Sequence, residues 1–176
     1  PVANNDTGAA QEDGPAVTLL AGTLLANDTD ADAGDAKAIT AVSNSAAGAQ
    51  VTLTGGPGGG NALYNAGGLF QSLKAGATAT DRFSYTIVDG AGASSTASVL
   101  MTITGVNDAP VLVNPIADQN AAAGTAFNFV FAPTTFTDID AGDTLAYSAS
   151  LSEGSALPAW LAFDAATRSF SGTPPG

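Results

Sequence analysis

The 176-residue chain carries 16 acidic and 4 basic residues, a net charge of −12, which excludes a surface that neutralises nucleic-acid phosphates or an anionic membrane. It has no Cys and no His, so thiol chemistry, a Ser-His-Asp triad and the usual nitrogen and sulfur ligands of zinc are excluded. Oxygen ligands remain, and these suit calcium. No apolar run approaches the roughly 20 residues of a membrane helix, so we expect no direct membrane insertion.

The first third of the chain alternates polar loops with short apolar stretches. Residues 1–15 are polar and turn-rich, 16–26 are apolar, and strands are predicted at about 38–43 and 50–54. The glycine-rich loop at 55–60 lacks the Gly-Lys-Ser/Thr ending of a phosphate-binding loop. It therefore predicts no nucleotide site.

Two alternating segments predict an antiparallel hairpin. From Arg82 to Val88, apolar side chains fall on one face and polar ones on the other, and Thr96 to Thr104 repeats this pattern. A glycine-containing turn at 89–92 separates the two segments. The inward residues are predicted to be Phe83, Tyr85, Ile87, Ala97, Val99, Met101 and Ile103.

The last third shows the same short, strand-like segments. Strands are predicted at 124–131, 145–149, 159–163 and 168–171, with Tyr147 in phase in the second of these. Phe127, Phe129 and Phe131 fall on one face and are predicted to be core. Short strands with turn signals at regular spacing predict an all-β chain of tandem β-sandwiches.

An internal repeat organises the chain. Asp-x-Asp-Ala-Gly-Asp occurs at 30–35 and again 108 positions later at 138–143, and Pro-Val occurs at 1–2 and 110–111. The stretch Gly105–Pro110 reads as a stiff joint, since Pro110 fixes its own φ and favours an extended Ala109. The repeat predicts two domains, 1–109 and 110–176, as part of a longer array.

Residues 1–110 resemble a VCBS-type repeat, a cadherin-like module of large bacterial surface proteins. Residues 111–176 resemble a dystroglycan-type cadherin-like domain. The motifs that carry the two resemblances are 1–4, 12–14, 25–30, 73–76, 80–85, 89–90 and 103–110 in the first, and 116–119, 124–127, 136–147, 157–164 and 170–174 in the second. The resemblance implies tandem cadherin-like or immunoglobulin-like sandwiches of Greek-key topology, in an extracellular adhesin with calcium at its joints.

The acidic loops suit calcium because closely spaced Asp residues supply several oxygens from one loop. Neither loop is an EF-hand, since Gly34 falls one place late and Ile39 stands where a bidentate Glu is needed. A solvated acidic turn is the alternative interpretation. The repetition of the motif and its neighbouring Asn107-Asp108 joint favour metal binding.

The cadherin resemblance also implies which residues converge. One interdomain site would take Glu12 or Asp13, Asp89, Asn107, Asp108, Asp138, Asp140 and Asp143. A second would take Asn4, Asn5 or Asp6 with Asp30, Asp32 and Asp35. Asp28 would join either site or cap a turn, whereas Asp81 and Asp118 are predicted to be turn or edge carboxylates.

These features predict a calcium-rigidified spacer of a bacterial cell-surface adhesin whose partners are its neighbouring domains. Host or matrix glycans or proteins would then bind other domains. Two alternatives stay open: a module that binds a glycan or protein at one end of a sandwich, and a building block of an extracellular filament. No spacing places two carboxylates across a cleft, so no enzyme activity is expected.

The second domain is predicted to be short of strands. From Val111 to Gly176 the pattern predicts about five strands, whereas sandwiches of this class have about seven. Two strands would then come from further along the parent chain, or from another chain by strand complementation.

Overall fold

The computed structural model describes residues 1–55 and 59–176. Its contacts divide the chain into two compact units, Pro1–Asn107 (unit 1) and Asp108–Gly176 (unit 2). The predicted domains, 1–109 and 110–176, differ from these units by two residues. The predicted glycine-rich loop at 55–60 lies partly outside the described residues.

Unit 1 is built almost entirely of β-strands. Its elements in chain order are β1 (Asp6–Gln11), β2 (Val17–Leu19), the one-turn helix α1 (Ala21–Leu24), β3 (Ala38–Val42), β4 (Gln50–Thr54), β5 (Asn61–Asn65), β6 (Thr78–Val88) and β7 (Ser94–Thr104). They form two sheets, of order β1-β7-β6-β3 and β2-β5-β4. The predicted all-β sandwich class is confirmed.

The β6–β7 hairpin is the longest feature of unit 1. Its antiparallel register runs from Thr78 opposite Thr104 to Val88 opposite Ser94, so the turn at 89–93 lies at one end. Strand β1 adds to β7 in parallel, with Asp6 opposite Val99 and Gln11 opposite Thr104. The end of β1 therefore lies beside the end of β7, far from the hairpin turn.

The core of unit 1 lies between its two sheets. Inward residues of the hairpin alternate with exposed or half-buried residues, most of them Ser and Thr, because successive strand residues point to opposite faces. All seven predicted inward residues are buried. Leu24 and Tyr64 close the core from α1 and β5, and Tyr64 stacks on Phe83. Full burial of each large side chain contributes about 1.5–3 kcal/mol.

Unit 2 contains β8 (Val111–Leu112), β9 (Phe127–Val130), β10 (Phe136–Thr137), β11 (Leu161–Asp164) and β12 (Ser169–Gly172). They pair as β10-β8 and as β11-β12-β9. The predicted strand at 145–149 is wrong, since no strand forms in this described segment. The ring of Tyr147 instead packs against the rings of Phe131 and Phe136. Such ring contacts do not require backbone hydrogen bonds to a neighbouring strand.

The interior of unit 2 is more open than that of unit 1. Of the predicted phenylalanine stripe, Phe131 is buried, whereas Phe127 and Phe129 are only half-buried. Val111, Leu112 and Val130 are exposed. The assignment of all three phenylalanines to a closed core is thus corrected, because the described strands cover the sheet incompletely. That further strands cover it stays a prediction.

Among the described residues, no helix has both the length and the apolar character to cross a membrane.

Candidate metal centres

Three carboxylates meet at the hairpin-turn end of unit 1. Asp30 and Asp35 belong to the loop between α1 and β3, and Asp89 directly follows β6. One oxygen of each lies within 4.8 Å of the others. Two ligands of a single Ca²⁺, at about 2.3–2.6 Å each, lie at most about 5 Å apart. The three oxygens are therefore close enough together for one calcium ion to contact all three side chains, which we call the upper cluster.

Asp30 and Asp89 are oriented by their own loops. Asp30 Oδ1 accepts the Asp32 N–H at 2.9 Å, and Asp89 Oδ1 accepts the N–H groups of Ala91 and Ala93 at 2.9 and 2.8 Å. The Oδ2 atoms lie 3.2 and 3.7 Å from the Pro1 ammonium. The two side chains are only 8% and 3% exposed. In each carboxylate, Oδ1 thus accepts hydrogen bonds from its own loop, and Oδ2 faces the Pro1 nitrogen.

The groups around Asp30 favour its ionised form. The Asp32 N–H lowers the pKa of Asp30, and the charges of Pro1 and Lys37 also lower it, while burial opposes them. Asp30 is therefore ionised at neutral pH. When proline follows another residue, its nitrogen is an amide without proton or charge. The all-oxygen donor set of the upper cluster fits calcium.

Several predicted ligands of the first loop lie outside the upper cluster. Asp32 is exposed and contributes backbone atoms, its N–H to Asp30 and its carbonyl to Asp35. Asp28 turns inward, where Oδ1 accepts the Asn4 N–H at 2.7 Å and both oxygens lie near the Tyr85 hydroxyl. Asp28 therefore lies outside the upper cluster, and its assignment as a ligand stays a prediction.

The opposite end of unit 1 holds Glu12. This residue is 2% exposed, and its Oε1 accepts the Val106 N–H at 2.6 Å. Its Oε2 is buried without a hydrogen-bond partner among the described residues. Neighbouring Asp13 is exposed and accepts a hydrogen bond from Gln71 at 2.6 Å. Of the two predicted alternatives, Glu12 is the carboxylate whose second oxygen accepts no hydrogen bond from the described residues.

The second acidic loop lies in unit 2. Asp140 is 4% exposed, its Oδ2 accepts the Asp108 N–H at 2.9 Å, and its N–H binds Asp138 Oδ1. The Asp143 N–H donates to the Asp140 carbonyl. Asp140 Oδ1 is buried and has no hydrogen-bond partner in the described part of the chain. The loop therefore repeats the backbone hydrogen bonds of residues 30–35, with Asp138 in the place of Asp30 and Asp140 in the place of Asp32, although Asp140 is buried and Asp32 is exposed.

The prediction that Asp89 shares a site with Glu12 is wrong. Asp89 lies at the turn of the hairpin, whereas the Glu12 N–H binds the Thr104 carbonyl at the other end of β7. Eleven strand residues at about 3.3 Å each separate the two ends by roughly 35 Å. Asp89 joins Asp30 and Asp35 instead. The predicted hairpin already contained this signal, since its turn starts at Asp89.

Asp81 is a buried carboxylate within β6, and its assignment to a turn or edge is wrong. It is 3% exposed and accepts hydrogen bonds from the Tyr64 hydroxyl at 2.8 Å and the N–H groups of Ala47 and Arg82 at 2.9 and 2.8 Å. Burial raises its pKa, but these bonds and one from Ser45 outweigh burial and hold it below its ordinary value. Asp81 shares the inward phase of Phe83 and Tyr85, which could have revealed it.

Comparisons with protein families agree with this architecture. The model of the bacterial cadherin-like domain matches residues 1–105. The chain belongs to the bacterial cadherin-like family. A second family model, described as "Putative Ig domain", matches residues 109–176 of this cadherin-like chain. Domains of both kinds are typically structural modules, and cadherin-like domains commonly bind calcium.

Solved structures resemble the cadherin-like chain only distantly. An endo-fucoidan hydrolase from glycoside hydrolase family 107 is 18% identical with a TM-score of 0.36, over 99% of this chain and 24% of the hydrolase. The protocadherin GammaB4 extracellular domain is 13% identical with a TM-score of 0.40, over 97% of this chain and 28% of the protocadherin. The chain thus spans about a quarter of either protein. No curated protein sequence matches it.

Proposed function

We propose that the chain is a calcium-stiffened spacer segment of a bacterial extracellular adhesin. The observation that carries this proposal is the upper cluster, whose three carboxylates lie within 4.8 Å of one another. Asp30 and Asp89 are more than nine-tenths buried there. Buried carboxylates of like charge are costly unless a cation or proton compensates them, and Ca²⁺ supplies two positive charges to one point.

Calcium would also supply folding free energy. The chain carries a net charge of −12 and no cysteine, so it has strong self-repulsion and no disulfide. A cation that binds the folded form alone adds RT ln(1 + [Ca]/Kd), about 2.7 kcal/mol at 100 times Kd. This is a large fraction of the total stability of a single domain.

We propose that the second acidic loop, in unit 2, also holds a calcium ion, with Asp138, Asp140 and Asp143 as its ligands. Asp140 Oδ2 accepts the Asp108 N–H, whereas Asp140 Oδ1 is buried without a hydrogen-bond partner among the described residues. In unit 1, Glu12 Oε1 accepts the Val106 N–H, and Glu12 Oε2 is likewise buried without a hydrogen-bond partner in the described part of the chain. Glu12 is therefore a further candidate ligand within unit 1.

The finer family assignment belongs to the same proposal. We assign 1–110 to the VCBS type and 111–176 to the dystroglycan type, on the motifs given above. A non-catalytic, extracellular role follows from this assignment. A module that binds a glycan or host protein is the competing function, and binding on a glycan array would favour it over the spacer.

A thermal melt tests the proposal. The chain is chelated, dialysed, and melted with CaCl₂, with MgCl₂ at the same concentration, or with NaCl at matched ionic strength. Calcium should raise the midpoint of unit 1 by about 10 °C at 100 times Kd, and NaCl should recover only a small part of this rise. Asp164→Asn, an exposed carboxylate in neither acidic loop, is the control variant and should respond as the natural sequence does. Equal midpoints in calcium and in NaCl would refute the proposal.

A further inference from the structure

The hydroxyl of Tyr85 lies at a crossing of several chain segments. Tyr85 is fully buried, and its oxygen lies 2.8 Å from Asp6 Oδ2, 2.9 Å from the Asn4 carbonyl and 3.2 Å from the Leu24 carbonyl. Both carboxylate oxygens of Asp28 lie at 3.3 Å. All five neighbours are acceptors, whereas a hydroxyl donates a single proton. Tyr85 therefore joins β6 to the start of β1, to α1 and to the Asp28 loop.

The carboxylates around this hydroxyl repel one another. Burial raises the pKa of Asp6, and the nearby charge of Asp28 raises it further. Burial and the same two carboxylates raise the pKa of Tyr85, so its proton stays in place. The Asn4 and Asn27 amides also donate, to Asp28 and Asp6 respectively. The Tyr85 hydroxyl is the hydrogen-bond donor on β6 that holds the side chains of Asp6 and Asp28 against the core.

The segment held in this way is the one that delivers Asp30. Val2 and Thr29 exchange both backbone hydrogen bonds, at 2.7 and 3.0 Å, one residue after Asp28 and one before Asp30. Asp89 lies at the end of β6, the strand that carries Tyr85. The loop and β6 are thus joined twice, first by Tyr85 with Asp28 and then by the pairing of Asp30 and Asp89 in the upper cluster.

We propose that Tyr85 is a positioning residue for the cation site: its hydroxyl, 2.8 Å from Asp6 Oδ2 and 3.3 Å from both oxygens of Asp28, fixes the Asp28 loop against β6, so that the loop presents Asp30 to Asp89 at ligand distance. This inference rests on the proposed function, since it requires calcium in the upper cluster. Partners that orient metal ligands without touching the metal typically change affinity by 10–100-fold. Loss of the hydroxyl should therefore weaken calcium binding without changing a ligand.

Tyr64 provides a matched control. It is also fully buried in the core of unit 1, and its hydroxyl donates to a buried carboxylate, Asp81 Oδ2, at 2.8 Å. It belongs to β5 and contacts neither the 28–35 loop nor Asp89 through that bond. Tyr64→Phe and Tyr85→Phe each remove one buried hydroxyl from a carboxylate. A purely structural effect should appear in both variants.

The test is isothermal titration with CaCl₂ of the 176-residue chain and both variants, well below their melting points as measured by circular dichroism. Tyr85→Phe should raise the Kd of the upper cluster about tenfold or more. Tyr64→Phe should stay within about twofold of the unchanged chain, although it loses similar stability. Equal Kd values for Tyr85→Phe and the unchanged chain, or equal weakening in both variants, would overturn the inference.

Asp6→Asn keeps the inference testable if Tyr85→Phe does not fold. This substitution removes the negative charge of Asp6, which repels Asp28. It also replaces a carboxylate that competes with Asp28 for the hydrogen bond from the Tyr85 hydroxyl. Seating by Tyr85 then predicts an unchanged or lower Kd. A Kd raised tenfold by Asp6→Asn would show that negative charge alone sets the affinity, and would overturn the role of Tyr85. If the unchanged chain binds no calcium, the proposed function fails instead.

Discussion

Replacement of Asp81 by Asn should destabilise unit 1 strongly at neutral pH. Asp81 accepts hydrogen bonds from four groups, namely Ser45, Tyr64 and the backbone of Ala47 and Arg82. Hydrogen bonds to a charged group contribute about 1.5–3 kcal/mol, against about 0.5–1.5 kcal/mol for neutral pairs. Asn also turns an N–H₂ group towards one pair of donors. We expect a loss of about 2–4 kcal/mol.

The loss should depend on pH in a defined direction. The folded pKa of Asp81 lies below its ordinary value, so its contribution is complete above the unfolded value of about 4 and disappears as pH falls through the folded pKa. The difference between Asp81→Asn and the unchanged chain should therefore be constant from pH 7 to 5. It should shrink below about pH 4, where the unchanged chain loses this advantage.

Calcium-free urea denaturation measures this difference. Far-UV circular dichroism follows both units, while fluorescence of Trp160, which lies in unit 2, provides an internal reference that should not shift. Asp118→Asn, which removes a carboxylate at an exposed position, is the control variant. The expectation would be refuted if the two free energies of unfolding differed by less than about 1 kcal/mol at pH 7, or if the difference stayed the same down to pH 3. Either result would show that the hydrogen bonds to Asp81 stabilise unit 1 less than we expect.

Two further predictions concern the second acidic loop and the backbone. Asp138→Asn with Asp140→Asn should abolish the proposed calcium site of unit 2 without unfolding unit 1, so isothermal titration should lose one equivalent relative to the unchanged chain; an unchanged stoichiometry would contradict the assignment of this loop as a calcium site. Gly105→Ala should destabilise unit 1 by several kcal/mol, since a Cβ there would lie 2.4 Å from the carbonyl oxygens of Leu73 and Lys74. Gly22→Ala, whose Cβ meets nothing within 4 Å, should be neutral or mildly stabilising in the same melt, and equal effects would contradict the packing around Gly105.

Alternation made the β6–β7 hairpin predictable from the sequence. Its seven inward residues follow a strict period of two, and the turn contains two glycines. Strands β1 and β5 lacked such a pattern, because Asp6–Gln11 is mostly small or polar and Asn61–Asn65 is short. Their places are set by pairing with β7, β2 and β4, which is tertiary information.

The candidate site was predictable only in outline. The repeated Asp-rich motif indicated Asp30 and Asp35, yet Asp28 and Asp32 share the same spacing and belong elsewhere. What separates them is the direction of each side chain, which depends on the Val2–Thr29 bridge and on Tyr85. Val2 and Tyr85 both lie far from this loop in the sequence, so the spacing of the Asp residues could not predict these contacts.

Calcium titration of the upper cluster tests the central claim most directly. The chain is compared with its Asp30→Asn, Asp89→Asn double variant by isothermal titration at 150 mM NaCl, each with and without a residue added before Pro1. We expect saturable calcium binding that loses at least one equivalent in the double variant. Binding should be tighter in the extended chain, since an amide at Pro1 no longer competes as a cation. Absence of saturable binding, or the same stoichiometry and Kd in the double variant, would contradict the assignment of the upper cluster as a calcium site.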